Sequence, residues 1–336
     1  MKDSPNLDLL RSIAVLLVVA SHLALGLGWA DPRWDIEALG RVGVAVFFVH
    51  TCLVLMLSLE RNGAEAVPFF VRRFFRIYPL AVCMVLFVAL MRGASVSGGE
   101  VLSNLLLVQN VTGHKSILAP LWSLPYEVQM YLVLPLVFLL ARRAGAKGIA
   151  ALLVGGALLV CALLALGLPY RAVQYVPCFL PGVLAYTLGI RGRLHPGWLV
   201  ALVLSVAAVI APLEAAGLPE LPILWALCLA LGLLIPFCRP ITSATLARVS
   251  RLVATYSYAI YLTHLLAIQI AFHIVPGLPS VVRWAVFAAV LALLARIAYR
   301  WIEAPCMGLG ARLAAAYRAR IWTARPAPMR VAASSD

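Results

Sequence analysis

Leu7-Asp8-Leu9-Leu10-Arg11 opens an apolar run that continues unbroken to Ser21-His22-Leu23. The run is long enough to cross a bilayer core, which takes about 20 helical residues. It nevertheless carries two ionisable side chains. Each helical residue advances about 100°, so the eleven steps from Arg11 to His22 turn through roughly three circles and both side chains face the same way, His22 about 16 Å farther along the axis. An ionisable residue inside a span costs about 2.5–3.5 kcal/mol on insertion scales, so it turns towards a protein interior or a watery cavity. Two readings stand at this point. Either Arg11 snorkels and His22 bonds a neighbouring helix, or the pair marks a functional cavity.

The rest of the chain has the same character. Its 336 residues are 64% hydrophobic and only 12% charged, with a mean hydropathy of +0.99. A soluble domain is about half apolar and a quarter charged. The expected fold is all-α, a polytopic helical membrane protein with about ten transmembrane helices. The spans begin near Leu9, Arg41, Ile77, Trp122, Gly148, Val173, Pro196, Pro219, Leu252 and Ser280. Gly and Pro punctuate the joints, Gly145 and Pro276-Gly277 among them, while Pro135 and Pro181 fall inside spans and predict kinks. Asp3, Asp8 and Arg11 spoil a signal-peptide pattern, so the first span is expected to be retained.

The net charge of +14 is explained by where the cations fall. With the N-terminus inside, 21 of the 27 lysines and arginines lie in inner segments. The outer side keeps Arg33, Arg41, Arg92, Lys115, Arg171 and Arg283. This bias predicts that both termini are cytoplasmic and removes any need for nucleic acid as a partner. The expected organisation is a membrane domain over 1–310 and a basic cytoplasmic tail over 311–336. Within the tail, Arg312, Leu313, Tyr317 and Ile321 suit a short interfacial helix, and Ala324–Asp336 is expected to be disordered. The seven cysteines include no CxxC pair and imply neither a disulfide framework nor a zinc ribbon.

Several stretches carry polar residues where apolar ones would be expected. Phe69-Phe70-Val71-Arg72-Arg73-Phe74-Phe75-Arg76-Ile77-Tyr78-Pro79 suits a short helix at the inner interface. Arg73 and Arg76 share a face there, either as plain positive-inside anchors or as an anion site. In the outer loop over 93–121, Val101–Val111 suits a short helix dipping into the outer leaflet. Ser123, Glu127 and Tyr131 follow at intervals of four, below Trp122. Glu127 is expected about one turn below the outer surface, near the depth of His22. Ser257, Tyr261 and His264 line one face of a later span, and His50 adds a polar residue to the second. A metal at His22, His50 and His264 is conceivable, but no HxxxH or HExxH pattern supports it, and none is expected.

Taken together these residues resemble the acyltransferase-3 family of membrane acyltransferases. Arg11 and His22 match its arginine, ten residues, histidine pattern. Gly43-Val44-Ala45-Val46-Phe47-Phe48-Val49 resembles its second-span motif, and Arg73 through Pro79 its basic inner-loop motif. Trp122-Ser123-Leu124 with Glu127 and Tyr131 resembles its Trp-Ser-Leu segment. Tyr256 through His264, and Glu303-Ala304-Pro305, resemble its closing motifs. His50-Thr51-Cys52 stands where many members read Leu-Ser-Gly. Some members also carry a fused extracytoplasmic esterase-like domain, which this chain is expected to lack.

The resemblance implies an enzyme of the cytoplasmic (inner) membrane of bacterial type. It would move an acyl group, commonly acetyl, from cytosolic acyl-CoA to a hydroxyl of an extracytoplasmic polysaccharide or glycolipid. Acyl-CoA is then a co-substrate, and no tightly bound cofactor is expected. Arg11, Arg72, Arg73 and Arg76 would bind acyl-CoA. His22 would be the general base, oriented by Glu127, and direct transfer and an acyl-enzyme on His22 both remain open. Trp122, Ser123, Tyr131, His50, Tyr261 and His264 would line the acceptor side or the cavity. The alternatives are acyl transfer to a small-molecule or lipid acceptor, and a glycolipid transporter or flippase.

Overall fold

The computed structural model describes residues 4–324 except 30, 64, 190, 275 and 276, with side chains described as far as Arg320. The end expected to be disordered lies outside the described residues from 325 on, as do Lys2, Asp3, Pro276 and the side chain of Ile321. Among the described residues twelve α-helices occur in the order α1 (Pro5–Gly26), α2 (Glu37–Arg61), α3 (Ala66–Arg92), α4 (Gly98–Leu105), α5 (Gln109–Thr112), α6 (Leu124–Ala165), α7 (Val176–Leu188), α8 (Gly197–Ala215), α9 (Glu220–Leu234), α10 (Ala244–Ile268), α11 (Ser280–Ile297) and α12 (Ala304–Ala324).

Eight helical segments among the described residues are long and apolar enough to span a membrane. The all-α, polytopic expectation therefore holds. One of these segments, the one that holds α6, is two helices in one. The 42 residues of α6 are broken at Gly145, whose φ of 59° and ψ of −154° leave the helical region. The shorter apolar helix α7 stands apart from these eight. Pro135 and Pro181 sit inside α6 and α7, but the break falls at the glycine.

The joints sort onto two faces. On one, Asn6 at the start of α1 donates to Arg239 O and accepts from Ile241 N in the α9–α10 joint. On the same face the α7–α8 joint donates from Arg193 N to Phe237 O, and Arg318 of α12 donates to Glu65 and to Asn62 O in the α2–α3 turn. On the other face, Asp35 N before α2 donates to Ala211 O of α8. Arg41 there pairs with Asp35, Glu37, Glu214 and Glu220. The start of α1 and the helix α12 thus share a face.

The core is built round α2, the most enclosed of the long helices. Small residues let its neighbours close in. A Cβ on Gly43 would lie 2.5 Å from Ala14 O of α1, and one on Gly182 of α7 would overlap Val49 O of α2. Helices meet in this way in membranes, where packing replaces the hydrophobic drive between them.

Three segments differ from the expectations. The Phe/Arg stretch is not a separate interfacial helix. It forms the first half of α3, which runs unbroken through Pro79, so Arg73 and Arg76 turn inwards. The outer loop folds onto the protein instead of dipping as one helix. The α4 helix has a capping box between Ser97 and Glu100, and the fully buried Asn104 bonds Glu100 O, Lys115 O and Ile117 N. The end of that loop does dive inwards, as a buried 3₁₀ turn over Ala119–Ser123. Lastly, α11 passes through a π-helical turn at Ala298–Glu303 into α12, which runs through residue 310 and packs Gly310 against Phe75 of α3. Such π-turns bulge a helix and occur often at functional sites. This one carries Glu303, fully buried and paired with Arg76 at 3.1 Å.

Two stability predictions follow from this packing. Gly182→Ala should lower the thermal midpoint in detergent, corresponding to about 1–3 kcal/mol of overpacking. Gly155→Ala is the control, since a Cβ there meets nothing within 4 Å; equal midpoints for the two would refute the close α2–α7 contact. Glu303→Leu strands a buried guanidinium and should cost about 3–5 kcal/mol, read as loss of monodisperse protein or of midpoint.

Candidate active site

Two cavities lie one above the other along α1. The first is lined by Arg11, Arg73 and Arg76 together with His50, Thr51, Ser123, Glu127, Tyr131, Ser257, Tyr258 and Tyr261. Arg11 donates from Nε to Ser257 Oγ at 2.6 Å. Arg76 is held from behind: its Nη1 meets Glu303 and Met307 Sδ, and its guanidinium lies over the Tyr258 ring, 5.8 Å from the centroid. Tyr258 in turn donates to Ile77 O at 2.7 Å, tying α10 to α3. Glu127 receives the Tyr131 hydroxyl at 2.5 Å and Thr51 Oγ1 at 3.4 Å, both on Oε1. The expected shared face of Ser123, Glu127 and Tyr131 is present, since all three line this cavity.

The second cavity is lined by His22, Ser21, Glu37, Arg41, Trp122, Tyr175 and Tyr261 among others. Glu37 and Arg41 occupy the first turns of α2, so this cavity lies towards the face opposite the start of α1. Trp122 packs against Tyr126 and Tyr175, giving the cavity an aromatic wall. His22 Nδ1 lies 3.0 Å from Val18 O and 3.1 Å from His264 Nε2. His264 Nδ1 lies 3.1 Å from Ile260 O.

Val44 and Tyr261 line both cavities and partition them. The Tyr261 hydroxyl donates to Pro120 O at 2.7 Å and lies 2.7 Å from Ser123 Oγ, which fixes the buried 3₁₀ turn against α10.

The geometry corrects the expected pairing of Glu127 with His22. His22 adjoins Ser21, which meets Gly40 of α2, whereas Glu127 meets Thr51 of α2. Eleven residues of helix separate those levels by about 16 Å. Glu127 is deeper than expected because the 3₁₀ turn carries the start of α6 into the protein before the helix begins. The residue beside His22 is His264. Arg72 is also displaced from the expected set. It does not line the arginine cavity, and its charged neighbours are Arg318, Arg73 and Glu65. His50 lines the arginine cavity and so lies apart from the His22–His264 pair. Among the described residues no group of three or more His, Cys, Asp or Glu could hold a metal ion.

Glu303, Tyr258, Arg41 and Glu37 were not singled out by sequence reasoning as site residues. Glu303 had a signal in the closing Glu303-Ala304-Pro305 motif. Tyr258 had only its place beside the Ser257, Tyr261, His264 face, and Arg41 counted merely as one of six outer cations.

Comparison with known proteins adds the reaction class. The chain is 35% identical over 157 residues to the acyltransferase MdmB of Streptomyces mycarofaciens, covering 41% of this chain and 40% of that protein. It is 32% identical over 164 residues to the peptidoglycan O-acetyltransferase OatA of Listeria monocytogenes, covering 41% of this chain and 25% of that protein. The matches thus span well under half the length of these curated relatives. No solved structure matches. The acyltransferase domain family matches residues 4–300, nearly the whole chain, and the protein therefore belongs to the acyltransferase-3 family of membrane acyltransferases.

Proposed function

We propose that this acyltransferase moves an acyl group, acetyl first among candidates, from acyl-CoA to a hydroxyl of a polysaccharide or glycolipid on the opposite side of the membrane. One observation carries the donor assignment. The arginine cavity collects three guanidiniums, Arg11, Arg73 and Arg76, with one carboxylate, Glu127, in its lining and a second, Glu303, behind Arg76. Excess positive charge in a low-dielectric cavity calls for an anion, and guanidinium suits phosphate by its bidentate geometry. The phosphates of CoA supply that anion. The acceptor class rests on the relative that acts on peptidoglycan and on the aromatic wall of Trp122 and Tyr175.

The 21-to-6 division of lysine and arginine supports reading the face with the start of α1 as cytoplasmic. In a bacterial-type cytoplasmic membrane, acyl-CoA then meets the arginine cavity from inside. The donor's extended arm carries the thioester past Val44 and Tyr261 towards His22. There the acceptor oxygen attacks the thioester carbonyl carbon, a C–O bond forms and the C–S bond breaks. His22 takes the hydroxyl proton and passes it to the departing thiolate, releasing CoA as the thiol. Imidazole suits that exchange near neutral pH. Glu127 serves the donor cavity, balancing Arg11 and Arg73.

The test is thiol release and acceptor acylation by purified protein given acetyl-CoA. His22→Ala should lose about 10²–10⁴-fold in turnover while still binding acyl-CoA. A variant that turns over near the wild-type rate would remove His22 from the chemistry. Arg73→Ala and Arg76→Ala should raise the KM for acyl-CoA, and lysine should restore little of it. An unchanged KM would take that arginine out of the donor site.

A further inference from the structure

We propose that His264 is the positioning residue of His22, fixing which ring nitrogen of His22 is free to take the acceptor's proton. The inference rests on the reading of His22 as the base. It is carried by a chain of hydrogen bonds that fixes both tautomers. His264 Nδ1 faces Ile260 O at 3.1 Å, and a carbonyl oxygen only accepts, so Nδ1 carries the hydrogen. In the neutral ring this leaves His264 Nε2 as a lone pair. That lone pair meets His22 Nδ1 at 3.1 Å. His22 Nδ1 also lies 3.0 Å from Val18 O, a second pure acceptor. Two independent acceptors therefore require the hydrogen of His22 on Nδ1, and the free lone pair falls on Nε2.

The surroundings leave this task to His264. Its side chain is fully buried, with both ring nitrogens engaged, so it does not meet an acceptor itself. His22 by contrast lines the outer cavity. Glu37 on α2 is the carboxylate within electrostatic reach of His22, but no hydrogen bond joins them. The Tyr261 ring lies 6.4 Å from the His264 ring, and its hydroxyl is committed to Pro120 O. When His22 takes a proton on Nε2, its Nδ1–H becomes a charge-assisted donor to His264 Nε2. A neutral imidazole thereby does what a carboxylate does in a catalytic triad, orienting the base and stabilising its protonated form. A neutral partner also avoids a second buried charge.

An isostere pair tests this. Glutamine at 264 places its amide oxygen near the position of Nε2, where it can accept from His22. Asparagine reaches only as far as Nδ1 and leaves His22 Nδ1 without that acceptor. With acetyl-CoA as donor, His264→Gln should keep turnover within a few-fold of wild type. His264→Asn should lose about 10–100-fold in kcat, the usual cost of removing an orienting partner. The KM for acetyl-CoA should be unchanged in both, because the arginine cavity is untouched. In a His22→Ala background, His264→Asn should cost nothing further, since the two act as a unit. Equal turnover of the Gln and Asn variants, or an undiminished Asn effect without His22, would overturn the role of His264 and leave the base assignment intact. Wild-type turnover by His22→Ala in the same assay would instead overturn the base assignment.

Discussion

A guanidinium inside a membrane protein must find an opposite charge or a ring of acceptors, and much of this structure serves that need. Three arginines converge from α1 and α3. Glu303 meets Arg76 because a π-turn interrupts the passage from α11 to α12. Glu127 reaches the same cavity because the buried 3₁₀ turn starts α6 deep in the protein. Ser257 and Tyr258, adjacent on α10, take Arg11 and Arg76. The π-turn and the 3₁₀ turn depart from regular spanning helices, and all three devices offset an insertion cost of about 2.5–3.5 kcal/mol per cation. The balance still leaves more cation than carboxylate, which suits a site completed by an anionic substrate.

The helix α1 then carries two polar levels at different depths. Arg11 and His22 meet α10 at two levels, through Ser257 and His264. The lower level is electrostatic and suits phosphate. The upper level is a hydrogen-bonded pair of imidazoles beside aromatic rings, suited to holding a hydroxyl and moving its proton. Val44 and Tyr261 stand between them. A donor that binds by its charged end from one face and delivers its thioester towards the other fits this arrangement. A transporter would move its whole substrate across the partition, and membership of an acyltransferase family gives no support to that alternative.

Much of this was legible in the sequence because helical periodicity is local. The common face of Arg11 and His22, the stripe of Ser123, Glu127 and Tyr131, and that of Ser257, Tyr261 and His264 all follow from 3.6 residues per turn. Depth was not legible. It depends on how far the 3₁₀ turn at Ala119–Ser123 dives, which is fixed by Tyr261 bonding Pro120 from 141 residues away in the chain. Glu127 was therefore placed beside His22, when it belongs with the arginines. Arg72 was grouped with Arg73 and Arg76 by adjacency, yet one residue turns a helix by about 100°, and that rotation turns Arg72 out of the cavity. The pairing of His22 with His264 instead of His50 is likewise a matter of level.

The central claim is that donor and acceptor approach from opposite faces. It is tested most directly by transfer across a sealed bilayer. The protein is reconstituted in one orientation into tight vesicles, with membrane-impermeant acetyl-CoA and a glycan acceptor placed on chosen sides. Acylated acceptor should form only when acetyl-CoA is on the side of Glu65 and Arg318 and the glycan on the side of Glu37 and Arg41. Acylation with donor and acceptor both on the latter side would contradict the account.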